Sequence, residues 1–527
     1  MILSIVALTL CALALVAEFS RTLMLVQQNS YRIDRFRRSL AAMGDSTSFA
    51  KLFGIVFALA ATIRGVPEVM ALAGLGLFSL IMVILRLSAR RKYKHPLVWT
   101  PRVRRIFGVM LLLVALIAVG VSFMPQGRWG WARVYAILAM FLWVKADWVA
   151  IAALWLLKPV EKSINQRYIN DAKRILASMP DLKVIGITGS YGKTSTKHYL
   201  HRILSEQFAV CMTPGSFNTT LGVVRTIREY LKPFDRVFIC EMGAKQPGDI
   251  KEICDLVHPS VGIITAVGPQ HLESFKTIEN VQATKFELID SLPANGLAVL
   301  NNDFEYVANR PVGNVEAVRY AIEPSADTLF SVADIRYSAT GTDFTVLTPD
   351  GELKLHTRLV GECNVSNLVA AVIVALRLGV DSRRIAYAVE QIEQVEHRLS
   401  VKRTAGGITI LDDAFNSNPA GSAMALDVLA SLPGRRFVIT PGMIELGDRQ
   451  EELNADFGRK IAASADVAII VGRYNRDAIV AGIESAKNAA LELHTVDTFA
   501  QAQALMLSQA RPGDAVLYEN DLPDTFK

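Results

Sequence analysis

Lys183-Val-Ile-Gly-Ile-Thr188, then Gly189-Ser-Tyr-Gly192-Lys193-Thr194-Ser195, then Thr196-Lys-His-Tyr-Leu-His-Arg-Ile-Leu204: an apolar β-branched run, a glycine-rich turn and a stretch of helix formers follow one another without a break. That order is a strand, a tight loop and a helix, the opening of a parallel α/β unit. Glycines let the loop turn its N–H groups inward around phosphates, and the helix N-terminus adds positive potential. Lys193 would reach the β- and γ-phosphates and the Thr194 hydroxyl would serve Mg²⁺. Gly189, Ser190, Gly192, Lys193, Thr194 and Ser195 are therefore the expected nucleotide contacts. The loop departs from the usual pattern in having Ile187 five positions before Gly192. A chance glycine-rich turn is the alternative, and the Lys-Thr pair in a strand-to-helix setting argues against it.

Reading downstream, the runs RVFICEMG, VGIITAVG and GLAVLNND are short and β-branched, with helical stretches between them. The alternation predicts a parallel sheet with crossover helices. Residues 331–359 change to alternating strands, a small antiparallel insertion, and a helix is expected over 365–378. A second α/β unit, Rossmann-like, begins near Arg398 with strands GITILDD, RFVITPG, VAIIVG and AVLYEN. Glu241 ends the strand RVFICE, and an acidic side chain at that edge of an open sheet suits a metal ion near a ligand crevice. A carboxylate at a helix start is the plainer reading.

The motifs in order resemble the Mur ligase family, whose members join amino acids or peptides to cell-wall precursors. TGSYGKTS looks like the family P-loop, and Glu241 stands where the family binds the Mg²⁺ that bridges the phosphates. GPQHLESF resembles the His-Leu-Glu motif, which makes His271 a support for a second Mg²⁺. Lys285, fourteen residues on, matches the lysine that many members carbamylate; an ordinary lysine is the other reading. GECNVSNLVAA resembles the G-x-H-N-x-x-N-x-x-A-A signature. Asn367 matches the asparagine that contacts adenine, and Cys363 replaces the family histidine. His397-Arg398-Leu399 and LDDAFNSNP resemble the start of the C-terminal domain: Arg398 would reach the γ-phosphate and Asp413 the ribose, with Asn416 and Asn418 on the loop facing substrate. GMIELG, with Glu445, and the loop TPGSFNTTLG, with Asn218 as substrate contact, point to the D-alanyl-D-alanine-adding (MurF) branch. Asparagine and glycine also make ordinary turns and caps. The chain departs at VLYENDLPDTF, where that branch tends to have Lys-Gly-Ser.

Upstream the composition changes. Of the 527 residues 51% are hydrophobic and 20% charged, and the apolar excess is concentrated before residue 160. Apolar segments fall near 2–25, 52–63, 69–85, 106–124 and 134–157, the second short for a bilayer that needs about 20 residues. The first reads as a retained membrane helix, with an uncleaved signal anchor as the variant. Two basic connectors, 31–38 and 86–105, belong in the cytoplasm by the positive-inside rule. Everything after Lys158 then lies inside as well, and Arg64, Arg128 and Arg133 lie outside. The net charge of +6 is explained by these connectors, without a basic patch for nucleic acid. Lys145 and Asp147 interrupt the last apolar segment, as a substrate contact, a local ion pair or a break in the helix. The five cysteines form no metal-ligand spacing, consistent with a reducing compartment.

The expected organisation is a transmembrane region of about five helices over 1–160, an amphipathic linker over 161–181, a central ATP-binding domain over 182–396 and a C-terminal domain over 397–527. The resemblance implies an ATP-dependent ligase with two Mg²⁺ ions. It would be embedded in the bacterial cytoplasmic membrane and would join a precursor carboxylate to an amino acid or dipeptide amine. Membrane helices stand where the family has a soluble domain for the UDP-sugar. A ligase for another envelope polymer, for a lipid-linked precursor, or a transport ATPase are the rival readings, and oligomeric state is open.

Overall fold

The computed structural model describes all residues except 43–46, 64, 91–95, 124–129, 339–340, 416 and 523–527, so Arg64, Arg128 and Asn416 lie outside the described residues. The chain divides into two compact units, Met1–Ile164 with Leu522, and Asn165–Asp521.

The first unit is helical: Ile2–Gln28, Ile33–Ala42, Thr47–Ala60, Glu68–Arg90, Pro101–Ser122, Trp131–Val144 and the start of Ala146–Ala177. Three of these, Ile2–Gln28, Glu68–Ser88 and Pro101–Ser122, are long and apolar enough to cross a membrane. Of the five apolar segments, the two that the sequence marks as irregular, the short second and the last with Lys145 and Asp147, form no long straight helix. Thr47–Ala60 has 14 residues, and the last apolar segment breaks at Lys145 into two helices bent by 75°. Ala146–Ala177 then absorbs the expected linker without interruption.

The helices Ile2–Gln28 and Glu68–Arg90 run parallel. Ala7 lies against Gly76, Cys11 accepts from Ser79 at 3.4 Å and Glu18 pairs with Arg86 at 2.7 Å. Two parallel neighbours require the chain between them to run back, which is the work of the short Thr47–Ala60 helix. The turn that follows it is held by Arg133, whose guanidinium donates to the carbonyls of Ala61, Val66 and Ile63 at 2.5, 2.9 and 3.2 Å. An unpaired backbone carbonyl away from water is costly, so an arginine there completes the turn.

The second unit contains three sheets. β1 (Lys183–Thr188), β2 (Val210–Met212), β3 (Val237–Glu241), β4 (Val261–Ile264), β5 (Leu297–Asn301) and β6 (Glu316–Tyr320) form one sheet in the order 2-3-1-4-5-6, with every pair parallel. β1 and β3 are buried along almost their whole length, as expected of strands covered on both faces by crossover helices. β7 (Ser331–Ser338), β8 (Gly341–Thr348) and β9 (Gly351–Thr357) make the antiparallel insertion. The helix Glu362–Arg377 follows, with an almost wholly buried middle from Leu368 to Ala375.

β10 (Ser400–Arg403), β11 (Thr409–Asp413), β12 (Arg436–Thr440), β13 (Val467–Val471), β14 (Glu492–Val496) and β15 (Ala515–Glu519) form the last sheet in the order 10-11-15-12-13-14. It is parallel except for the β10 edge. In both six-stranded sheets the residues with chemistry stand at the C-terminal strand ends, where open α/β sheets leave their crevice.

Candidate active site

β1 ends at Thr188 and the helix Lys193–Leu204 begins five residues later. Gly192 carries φ 77°, and a Cβ there would stand 2.3 Å from the Asn367 side-chain oxygen. A Cβ on Gly189 would stand 2.1 Å from the Thr265 hydroxyl. Both glycines are therefore required by close approach as well as by the turn.

The loop is braced from the adjacent β4 end. The Ser190 amide donates to the Ala266 carbonyl at 2.8 Å, the Ser190 hydroxyl to the Gly268 carbonyl at 3.0 Å, and the Thr265 hydroxyl to Tyr191 O. Asn367, expected at the adenine, accepts a 3.1 Å hydrogen bond from Thr196 and abuts Gly192. Asn364 accepts from Tyr199 at 2.7 Å, and Ser195 is buried. The Lys193 ammonium donates to the Gly189 and Ser190 carbonyls at 2.6 and 3.2 Å. Its pKa is pulled down to about 8, first by burial and then by the charge of Arg398, with Glu241 opposing.

Glu241 is the hub. It is 1% exposed at the end of β3, and its Oε1 accepts from Thr194 at 3.3 Å and from Asn218 at 3.1 Å. Its Oε2 is ion-paired at 2.9 Å with Lys197, itself completely buried. Burial pushes its pKa up, but the charges of Lys197 and Lys193 and the hydrogen bonds from Lys197 and Asn218 hold the carboxyl below its ordinary range. Lys197 did not stand out in the sequence because TKHYLHR reads as a solvated helix face. The available signal was its spacing, three after Thr194 and four after Lys193, which puts all three on one face.

His271 (φ 54°) and Glu445 (φ 63°) both adopt left-handed backbone and pair side chain to side chain between the first and last sheets. Burial lowers the His271 pKa and Glu445 opposes it. Lys285, on the helix Ile278–Asp290, is 2% exposed, and burial followed by the charge of Lys193 brings its pKa down to about 7.

Arg398 comes from the segment before β10. Its guanidinium lies 4.3 Å over the Phe415 ring, and burial lowers its pKa against the pull of Asp413 and Glu241. Asp413, ending β11, accepts from the Leu399 amide at 2.9 Å and is pushed up to about 6 by burial. In register on β15 stands Glu519, fully buried, bonded to Ser417 and raised well above the carboxylate range by burial and by Asp413. Asn418 caps the helix Pro419–Ala430 through the Gly421 amide at 2.8 Å.

Two family models match, the Mur ligase middle domain over residues 187–375 and the Mur ligase glutamate ligase domain over 397–518. A UDP-N-acetylmuramoyl-tripeptide--D-alanyl-D-alanine ligase of Mycobacterium bovis is 31% identical over 364 residues, 64% of this chain and 70% of that protein. The chain belongs to the Mur ligase family. The Escherichia coli ligase of the same name is 28% identical over 331 residues, 61% of this chain and 73% of that protein. Among solved structures, MurF from Acinetobacter baumannii superposes with TM-score 0.60 at 26% identity over 67% of this chain and 76% of that one. MurF from Thermotoga maritima, in complex with ADP, gives 0.61 at 25% over 68% and 80%. This Mur ligase is accordingly an ATP-dependent, amide-bond-forming enzyme of the MurF-like kind, which serves peptidoglycan synthesis.

Mur ligases use ATP with Mg²⁺, and the donors in this chain fit that ion. Thr194 and Glu241 offer hard oxygens beside the phosphate loop, and among the described residues no group of three or more His, Cys, Asp or Glu forms a closed metal cage. Mg²⁺ keeps water and phosphate oxygens in its shell, so a sparse protein donor set is what it requires.

Proposed function

We propose that this Mur ligase is anchored in the bacterial cytoplasmic membrane by residues 1–160. Its central domain (182–396) and C-terminal domain (397–527) would work on the cytoplasmic side, joining a muramoyl-peptide carboxylate to a D-alanyl-D-alanine-type amine through an acyl phosphate. The observation that carries the reading is the convergence of Lys193, Thr194, Glu241 and Asn218 at the end of β1 and β3, with the Arg398 charge reaching Lys193 and Glu241 from the segment before β10. The exposed apolar helices of the first unit support the anchor.

A substrate carboxylate oxygen attacks the γ-phosphorus of ATP, the bond to the β-phosphate oxygen breaks and ADP leaves. The amine nitrogen then attacks the acyl carbon, phosphate leaves, and the nitrogen gives up its proton. Lys193 and Arg398 hold the transferring phosphoryl charge from two sides, and the loop N–H groups other than that of Ser190, which is bonded to Ala266, position it. Thr194 and Glu241 hold Mg²⁺, which when bound neutralises phosphate charge. Asp413 holds ribose, and Asn367 shapes the loop against the base. Asn218 and Asn418 serve the substrate side, Asn418 by setting the helix start, and Asn416 is assigned to the same side from the sequence. His271, steadied by Glu445, and Lys285 serve a second metal position. A pKa brought down to about 7 leaves Lys285 a large neutral fraction able to take up CO₂ as a carbamate.

Membrane helices at the front favour one further reading, that the carboxylate arrives on a lipid carrier. The test is the full chain in detergent with ATP, Mg²⁺, D-alanyl-D-alanine and the muramoyl tripeptide, UDP-linked or lipid-linked, its carboxylate labelled with ¹⁸O. The expected result is an amide product and one ¹⁸O in the released phosphate. Amide formation with unlabelled phosphate would sink the acyl-phosphate route.

A further inference from the structure

Lys197 has no place in the reaction as written, yet it is the most deeply buried cation in the site, with a side chain at 0% exposure. A buried ammonium is tolerated when its charge is matched and its protons are bonded. Both conditions are met by two groups from different segments: Glu241 Oε2 at 2.9 Å and the Gly215 carbonyl at 2.7 Å. Gly215 sits in the middle of the loop that links β2 to the helix Thr220–Glu229.

That loop is fixed at its ends by β3 and the residues just after it. The Thr213 amide donates to Ile239 O at 3.0 Å and the Thr213 hydroxyl accepts from the Glu241 amide at 3.1 Å. At the far end, Gly243 N donates to Asn218 O at 2.7 Å and the Asn218 amide reaches Glu241 Oε1. Between those ends Gly215 and Ser216 are exposed. The backbone there turns through Gly215 (φ 50°) with Phe217 N on Pro214 O. Lys197 holds this exposed crest from beneath.

We propose that Lys197 is a positioning residue: a strut that fastens the crest of the 213–218 loop to the nucleotide-side carboxylate Glu241, so that the loop presents one surface to the carboxylate substrate. This rests on the reading above that the Asn218 loop faces that substrate. Glu241 is thereby shared, its Oε1 turned to Thr194 and Asn218 and its Oε2 to Lys197, so the order of the loop and the orientation of the carboxylate are one property. Methionine at 197 would fill the volume without either bond. Arginine would keep the charge and a donor for each acceptor.

The test uses the full chain in detergent with UDP-N-acetylmuramoyl-tripeptide, D-alanyl-D-alanine and MgATP, together with hydrogen exchange on the free protein. In Lys197→Met, exchange should accelerate at least about tenfold within 213–222 while β4 and β5 stay as in the wild type. KM for the tripeptide should rise about tenfold, KM for MgATP should rise less because only the orientation of Glu241 is affected on that side, and Lys197→Arg should recover most of both. Because removing a buried partner can unfold the site, the Lys197→Met/Glu241→Gln double variant is measured alongside. If the lysine fastens the loop to the carboxylate, Glu241→Gln by itself accelerates the 213–222 exchange, and adding Lys197→Met to it accelerates that exchange by a smaller factor than Lys197→Met does in the wild type. Unchanged exchange in 213–222, or a loss spread evenly over the whole sheet and both substrates, overturns the proposal. Failure of the underlying reading is told apart by Asn218→Ala: tripeptide KM unchanged there, with loop exchange responding to Lys197→Met, removes the substrate role and leaves the strut.

Discussion

The two units of the chain solve opposite problems with charge and apolar surface. In the ligase unit Leu368, Ile263 and Ile439 are buried, and charges such as Lys251 and Arg459 stand at the surface. In the helical unit Leu112, Leu116, Trp148 and Trp155 are exposed, at 56, 59, 68 and 69%, while Glu18, Arg133 and Glu161 are buried against partners. Large apolar patches facing water are disfavoured, which is what supports the membrane anchor proposed above for this unit. The buried ion pairs are compatible with the proposed anchor, since charge within a membrane is tolerated when it faces the protein interior.

The contrast breaks most sharply at the phosphate loop. Lys193→Ala removes the charge nearest the transferring phosphoryl group and should lower ligation by at least about a thousandfold. Fractionation should still find the protein in membranes. Loss of membrane association together with activity would mean that the two units do not act separately.

Packing gives a smaller and more discriminating effect. Leu368→Ala opens a cavity in a filled core and should cost about 2–5 kcal/mol in thermal or denaturant unfolding of the ligase unit. Leu112→Ala trims a side chain that faces outward and should stay within about 0.5 kcal/mol in detergent. Equal losses at both positions would remove the distinction between the units.

A pH effect sharpens the comparison within the ligase unit. Lys285 titrates near 7 when folded and near its ordinary 10.5 when unfolded, so between those values the unfolded chain binds the extra proton. Stability therefore rises with pH across that window, and the full penalty applies below about 7. Lys285→Met in bicarbonate-free buffer should raise Tm at pH 6.5, by an amount equivalent to a few kcal/mol. The gain should shrink towards zero by about pH 10. A gain that does not vary with pH would assign it to packing instead.

How much of this was legible beforehand varied with the physical signal. β1, β3, β4 and β5 are covered on both faces and read as continuous apolar runs, and the phosphate loop carried its own pattern. β2 (VCM), β10 (SVKR) and β14 (ELHTV) are edge strands with one neighbour each, short or polar enough to pass for loop. The break at Lys145 was open because an apolar run does not say whether its helix is straight. Asn367 and Asn418 were picked for ligands by resemblance, and in the structure they make a loop brace and a helix cap. Glu241 was found from its place at a strand end. Lys197, which completes its partners, was missed because a lysine in a polar helix is usually solvated, and its burial depends on β3 and the 213–218 loop, distant in sequence.

The central claim, an ATP-driven carboxylate–amine ligase carried by a membrane unit, is tested most directly by the requirements for ADP release. The full chain reconstituted in lipid is supplied with MgATP and with the muramoyl-tripeptide carboxylate, the D-alanyl-D-alanine amine, both or neither. Rapid ADP release is predicted when both are present, in equal amount with the amide. Hydrolysis at the full rate with neither would contradict it.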